Sequence, residues 1–77
     1  MKISEVIISD KEILGGTPVF VGTRVPIKNL FDYLEAGDSI EDFLNDFDYI
    51  PREHAVTILE FSEKLLTEQK LYENFAG

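Results

Sequence analysis

At 77 residues and 44% hydrophobic content the chain has room for one small domain, whose thin core would bury about 60–65% of the surface exposed on unfolding. It carries no cysteine, which excludes a disulfide scaffold and a thiolate zinc site, and its single histidine leaves a His-based metal or nucleophile-activating centre short of parts. The net charge of −8 is unevenly placed: residues 1–28 hold four cations against three carboxylates and residues 29–77 three against twelve, a surface that repels phosphate and attracts basic partners.

The first element is a short strand over Ile3 to Ile8, where Ile3, Val6, Ile7 and Ile8 are β-formers around Ser4 and Glu5. Ser9-Asp10-Lys11-Glu12 is polar and turn-like, and Gly15-Gly16 lets the backbone bend into the next segment. Val19-Phe20-Val21 then favours a strand, Gly22-Thr23 a turn, and Arg24-Val25 a return strand, which together make a tight β-hairpin. Val21 tolerates positive φ poorly, so the turn is expected to be type II with Gly22 in third place, or a turn followed by a glycine bulge. Pro26 has no N–H to give to a ladder, so the return strand is short or at an edge.

Helix 1 is predicted from Ile27 to Ala36, with Ile27, Leu30, Phe31 and Leu34 at i, i+3, i+4 and i+7, and Gly37 placed to end it. Ser39 caps helix 2, Ser39 and Asp42 form a shortened capping box, and Ile40, Phe43, Leu44 and Phe47 repeat the apolar period. Asp48-Tyr49-Ile50 is a second turn, and helix 3 starts around Pro51. Its stripe is Ala55, Ile58, Leu59, Ser62, Leu65 and Leu66, and it can extend to Lys70. The expected core is Ile27, Leu30, Phe31, Leu34, Ile40, Phe43, Leu44, Phe47, Ile58 and Leu59. The fold class is α+β, mainly α: one domain over 1–77, with a β-hairpin arm (1–26), a three-helix bundle (27–70) and an acidic–aromatic tail (71–77).

The run Glu12-Ile13-Leu14-Gly15-Gly16-Thr17-Pro18-Val19-Phe20-Val21-Gly22-Thr23-Arg24-Val25-Pro26 resembles the signature of the domain-of-unknown-function 433 family. That signature has an acidic-Ile-x-Gly-Gly-x-Pro-Val opening, then Gly-Thr-Arg and an aliphatic-Pro-aliphatic exit. The downstream order is also similar: a helix, the Ala36–Ile40 link, a short acidic helix, and a helix opened by Arg-Glu. The resemblance covers Ser9 to Phe61; Pro51 departs from it, since a Ser or Thr cap is usual there. It implies a small helix-turn-helix protein with a homeodomain-like helix arrangement. It also implies an antitoxin that pairs with a PIN-like ribonuclease toxin, whose metal-holding carboxylate cleft an antitoxin can block by supplying a cation.

No stretch reads as a catalytic, cofactor or metal site, and the chain is not expected to be an enzyme. Gly15-Gly16-Thr17 lacks the Lys-Ser/Thr and helix start of a phosphate loop. Glu41, Asp42, Asp46 and Asp48 lack the loop glycine and terminal Glu of a calcium site. If the second and third helices form a helix-turn-helix, the first turns of helix 3 face a major groove with Arg52, Glu53, His54 and Thr57, and Lys28 and Arg24 can reach flanking phosphates. The alternative is a plain three-helix core that binds no DNA, because that face lacks a basic stripe. For Arg24 the structural role is favoured: backbone carbonyls, or Glu35 or Asp38, lie within its expected reach. On the partner side, Lys64 or Lys70 can supply the cation, and Tyr72 and Phe75 at i, i+3 can dock in a groove. The runner-up function is a protein–protein interaction module without DNA. A homodimer is expected from the thin core and the open hairpin edge. No run is long enough to span a membrane and the start does not read as a signal peptide, so the expected location is the cytoplasm.

Overall fold

The computed structural model describes residues 1–68. A 3₁₀ turn at Ile3–Glu5 leads into strand β1 (Ile7–Ile8), and a second at Leu14–Gly16 leads into β2 (Val19–Phe20). Three helices follow: α1 (Ile27–Glu35), α2 (Ile40–Asp46) and α3 (Arg52–Thr67). The result is a small α+β fold, a two-stranded antiparallel sheet followed by three helices.

Only the end of the predicted Ile3–Ile8 strand is extended. The amides of Glu5 and Val6 donate to the carbonyls of Lys2 and Ile3, which coils residues 3–5 before a ladder can start. β1 then pairs with β2, Ile7 opposite Phe20 and Ile8 opposite Val19. The turn after β2 forms as the sequence predicts. The Thr23 amide donates to the Phe20 carbonyl at 3.0 Å, and Gly22, third of the four residues, has φ +75°. The Thr23 hydroxyl donates to the same carbonyl at 2.8 Å and accepts from the Val25 amide at 3.0 Å. The return arm makes only an isolated bridge, Val19 with Pro26, flanked by the Phe20 amide donating to the Val25 carbonyl and the Ile27 amide to the Pro18 carbonyl. The Val25 amide is turned to the Thr23 hydroxyl and Pro18 has no N–H, so neither bond is returned. The lasting partner of β2 is therefore β1, across the connection 9–18.

α1 ends in a Schellman motif. The Gly37 amide donates to the Leu34 carbonyl and the Asp38 amide to the Tyr33 carbonyl, with Gly37 at φ +91°. The α2 capping box is complete: the Asp42 amide donates to Ser39 Oγ at 3.1 Å, and the Ser39 amide to Asp42 Oδ2 at 2.9 Å. Pro51 lies one residue before α3 with extended backbone and offers no side-chain cap.

The core is Val6, Phe20, Val25, Leu30, Phe43, Ile50, Ala55 and Ile58, with Val19 also buried. Of the ten residues the sequence nominated, Leu30, Phe43 and Ile58 are fully buried; Ile27, Phe31, Leu34, Ile40, Leu44, Phe47 and Leu59 are half-buried. Phe43 is the hub of the aromatic cluster. Phe20 lies 5.7 Å from it, Phe47 5.0 Å, and Tyr33 meets it edge-on at 5.4 Å. The arm thus supplies core rather than decorating it.

The stripe predicted along α3 fails at its far end, where Leu65 is 42% and Leu66 73% exposed. α3 has 16 residues against 9 in α1 and 7 in α2, so at about 1.5 Å per residue it outruns the helices it could pack on. It stops at Thr67, before the expected Lys70, and Glu68 is extended. Among the described residues no helix is long and apolar enough to cross a membrane.

Candidate functional site

The segment nominated for DNA is α2, the turn 47–51 and α3. The turn is held by the Ile50 amide donating to the Phe47 carbonyl and by burial of Ile50, and the His54 amide donates to the Pro51 carbonyl to open α3. The nominated side chains diverge from this start. Arg52 turns back to α2 and forms an ion pair with Glu41. Thr57 is half-buried and lines a shallow hollow with Met1, Ile3, Glu60, Phe61 and Lys64, against the N-terminal 3₁₀ turn. His54 is half-buried. Arg52 is drawn toward α2 and Thr57 lies against the N-terminal turn, so the two are not presented together as one reading face.

The flanking cations are placed as follows. Lys28 Nζ lies 2.7 Å from Asp32 Oδ1, one helical turn along α1, and this hydrogen bond and charge raise its pKa. Arg24 is exposed and, among the described residues, forms neither an ion pair nor a hydrogen bond; the lock onto Glu35 or Asp38 favoured from sequence is not made. In the turn beside it the Phe20 carbonyl accepts from both the amide and the hydroxyl of Thr23 instead. The exposed Lys28–Asp32 pair is weakened by solvent, so it does not bar Lys28 from a phosphate. The wider field opposes it: residues 29–68 carry eleven carboxylates and two cations, Arg52 and Lys64.

The α2 carboxylates are used locally. Asp46 accepts a 2.5 Å hydrogen bond from the Tyr33 hydroxyl, which raises the tyrosine pKa. The Ser39 amide, followed by its hydroxyl, holds Asp42 below the usual carboxylate value. Among the described residues no three His, Asp or Glu side chains converge as a metal site would require.

At the other end of α3, Lys64 is exposed at the rim of the hollow beside Phe61. Lys70, Tyr72 and Phe75, the other partner-binding candidates, lie outside the described residues. The periodicity of α3 hid the most exposed apolar surface of the helix: Leu65 and Leu66 belong to the predicted stripe, and Phe61 lies outside it. The length of α3 relative to α1 and α2 is the signal that could have found it.

Comparison with known proteins adds little about activity. An uncharacterized protein, y4eO, from Sinorhizobium fredii (strain NBRC 101917 / NGR234) is 48% identical over 40 residues, covering 52% of this chain. That match spans only 18% of the relative's length. No solved structure matches the chain. The family model described as "Protein of unknown function (DUF433)" matches residues 7–62, from β1 through the glycine-rich turn and α2 into α3, and the chain belongs to that family.

Proposed function

We propose that this protein is an antitoxin-like partner of a PIN-like ribonuclease, which it binds and silences through the C-terminal half of α3 and the residues that follow. The observation that supports this reading is an apolar helix end, bearing Lys64, on which Phe61, Leu65 and Leu66 are exposed within six residues of one another. Apolar side chains gathered on one exposed face are unusual without a partner. The family's resemblance to antitoxins supplies the identity of that partner. Lys64 and Lys70 are the cations that would enter the nuclease's carboxylate cleft, with Tyr72 and Phe75 anchoring beside them. The test is affinity purification of the tagged chain from its host, followed by a cleavage assay. Co-elution of a nuclease that stays inactive until the chain is truncated after Lys64 supports the reading; no nuclease, or one indifferent to the truncation, rejects it.

Operator binding is the second arm of the proposal, and it needs a dimer because one copy offers few cations. The dimer would form along β1, the outer strand of the sheet, within the one part of the chain that is not acidic. Arg52 would have to leave Glu41 to reach DNA, with His54, Thr57, Lys28 and Arg24 around it. The Arg52–Glu41 and Lys28–Asp32 pairs favour the competing reading, a protein–protein module that ignores DNA. A mobility shift lost in Arg52→Ala decides for the operator; no shift in the unaltered chain decides for the module.

A further inference from the structure

We propose that the last turns of α3 are a docking face for a cationic amphipathic helix of another protein, with Phe61, Leu65 and Leu66 as its apolar seat. The proposal uses the same helix end as the nuclease reading, but it rests on the apolar seat and its carboxylates and stands if no nuclease is found. Phe61 is 40% exposed, close to Leu65, while Leu66 is the most exposed of the three. They are not scattered. Leu65 follows Ile58 by seven residues and Phe61 by four, and Leu66 follows Leu59 by seven, so they continue the face that Ala55 and Ile58 bury. Ser62, in the middle of that face, donates its hydroxyl to the Ile58 carbonyl at 2.8 Å, so it places no unmet polar demand on an apolar visitor. Beside Phe61 the hollow lined by Met1, Ile3 and Thr57 gives the visitor a second wall.

Phe61 and Leu65 lie one helical turn apart with Leu66 flanking them across Ser62, a stripe against which a second helix can lie. Charge decides which helix. Glu63 and Glu68 flank the seat, while Glu60 and Lys64 line the hollow beside Phe61, and Lys64 is the sole cation among these residues. A second copy would bring the same carboxylate rim to its mate, each copy carrying −8. A helix with Lys or Arg along its edges meets those carboxylates favourably and is steered to them from a distance.

The experiment titrates the full chain with three synthetic peptides and follows backbone amide shifts by NMR. The first is a Leu/Lys amphipathic helix of about four turns; the second has the same composition in scrambled order; the third replaces each Lys with Glu. The first peptide is expected to bind with shifts confined to Phe61–Leu66 and the facing Met1–Ile3. The other two should bind at least about tenfold more weakly, a difference that in free energy is about 1.4 kcal/mol. Leu66→Glu, and Leu65→Glu with it, should weaken the first peptide by about tenfold, although each adds charge that attracts it. Leu66 is so exposed that its variant keeps the fold, which an unchanged melting temperature verifies. Equal binding of the scrambled peptide would reduce the effect to bulk charge, and equal binding of the Glu peptide would remove the charge selection. Either result overturns the proposal, as do shifts elsewhere on the chain. So does a sedimenting dimer of the chain alone that Leu65→Glu/Leu66→Glu dissolves, which would assign the face to a second copy.

Discussion

The arm from Val6 to Val25 and the last turns of α3 are made of similar apolar side chains, yet water reaches them very differently. The arm is irregular: two strands of two residues each, turns, and a leucine, Leu14, at φ +50°. It nevertheless places Val6, Val19, Phe20 and Val25 out of reach of solvent. The end of α3 is regular helix, and it leaves Phe61, Leu65 and Leu66 in the open. Regular secondary structure does not bury a side chain; the convergence of several elements on it does. Phe20 meets Phe43 of α2 within one core, whereas past Leu59 α3 has left that core and faces the N-terminal 3₁₀ turn across a shallow hollow.

The sharpest break in this comparison would come from Phe20→Ala. If the arm is core, the variant loses about 3–5 kcal/mol, as does Phe43→Ala, close to the whole stability of so small a domain. Urea denaturation measures it, and a loss under about 1 kcal/mol would put the arm outside the core. Gly22→Val should cost about 1–2 kcal/mol, entirely through the backbone, since no atom lies within 4 Å of where the new Cβ would stand. A neutral result would mean that the turn can form without positive φ. Ser39→Ala should cost about 1 kcal/mol by opening the α2 cap. The partner Asp42 has a lowered pKa, so its contribution is present above the ordinary value of 3.8 and is lost as pH falls through the lower folded value. Asp42→Asn should therefore flatten the acid limb of the stability curve, and an unchanged limb would assign that loss to other carboxylates. Smallest of all, Leu66→Ser should move the melting midpoint by an amount equivalent to no more than about 0.5 kcal/mol. A larger loss would mean that the helix end is covered after all.

The first two helices are legible because each carries its own punctuation. Gly37 ends α1, Ser39 and Asp42 open α2, and the turn at Gly22 follows from one glycine after one valine. The pairing of β1 with β2 was not, because two-residue strands hold no period to read and the partner lies beyond ten residues of connection. Ile50 was assigned to a turn and is buried; its neighbours Asp48 and Tyr49 are exposed, so nothing local marks it. Site residues fared similarly. Residue types at the start of α3 suggested one reading face, but the ion pair of Arg52 with Glu41 depends on where α2 crosses, which no spacing within α3 encodes.

The core joins Val6 to Ile58, and this fixes when the protein can fold. A ribosome adds about 5–20 residues per second, so Val6 and Phe20 spend an interval on the order of seconds waiting for Ile58 to emerge. Throughout that interval a valine–phenylalanine strand stands with both edges open, the kind of segment that chaperones hold and proteases cut. A nascent chain stalled anywhere before α3 would be a degradation substrate, and the supply of folded protein would follow the steadiness of its own translation.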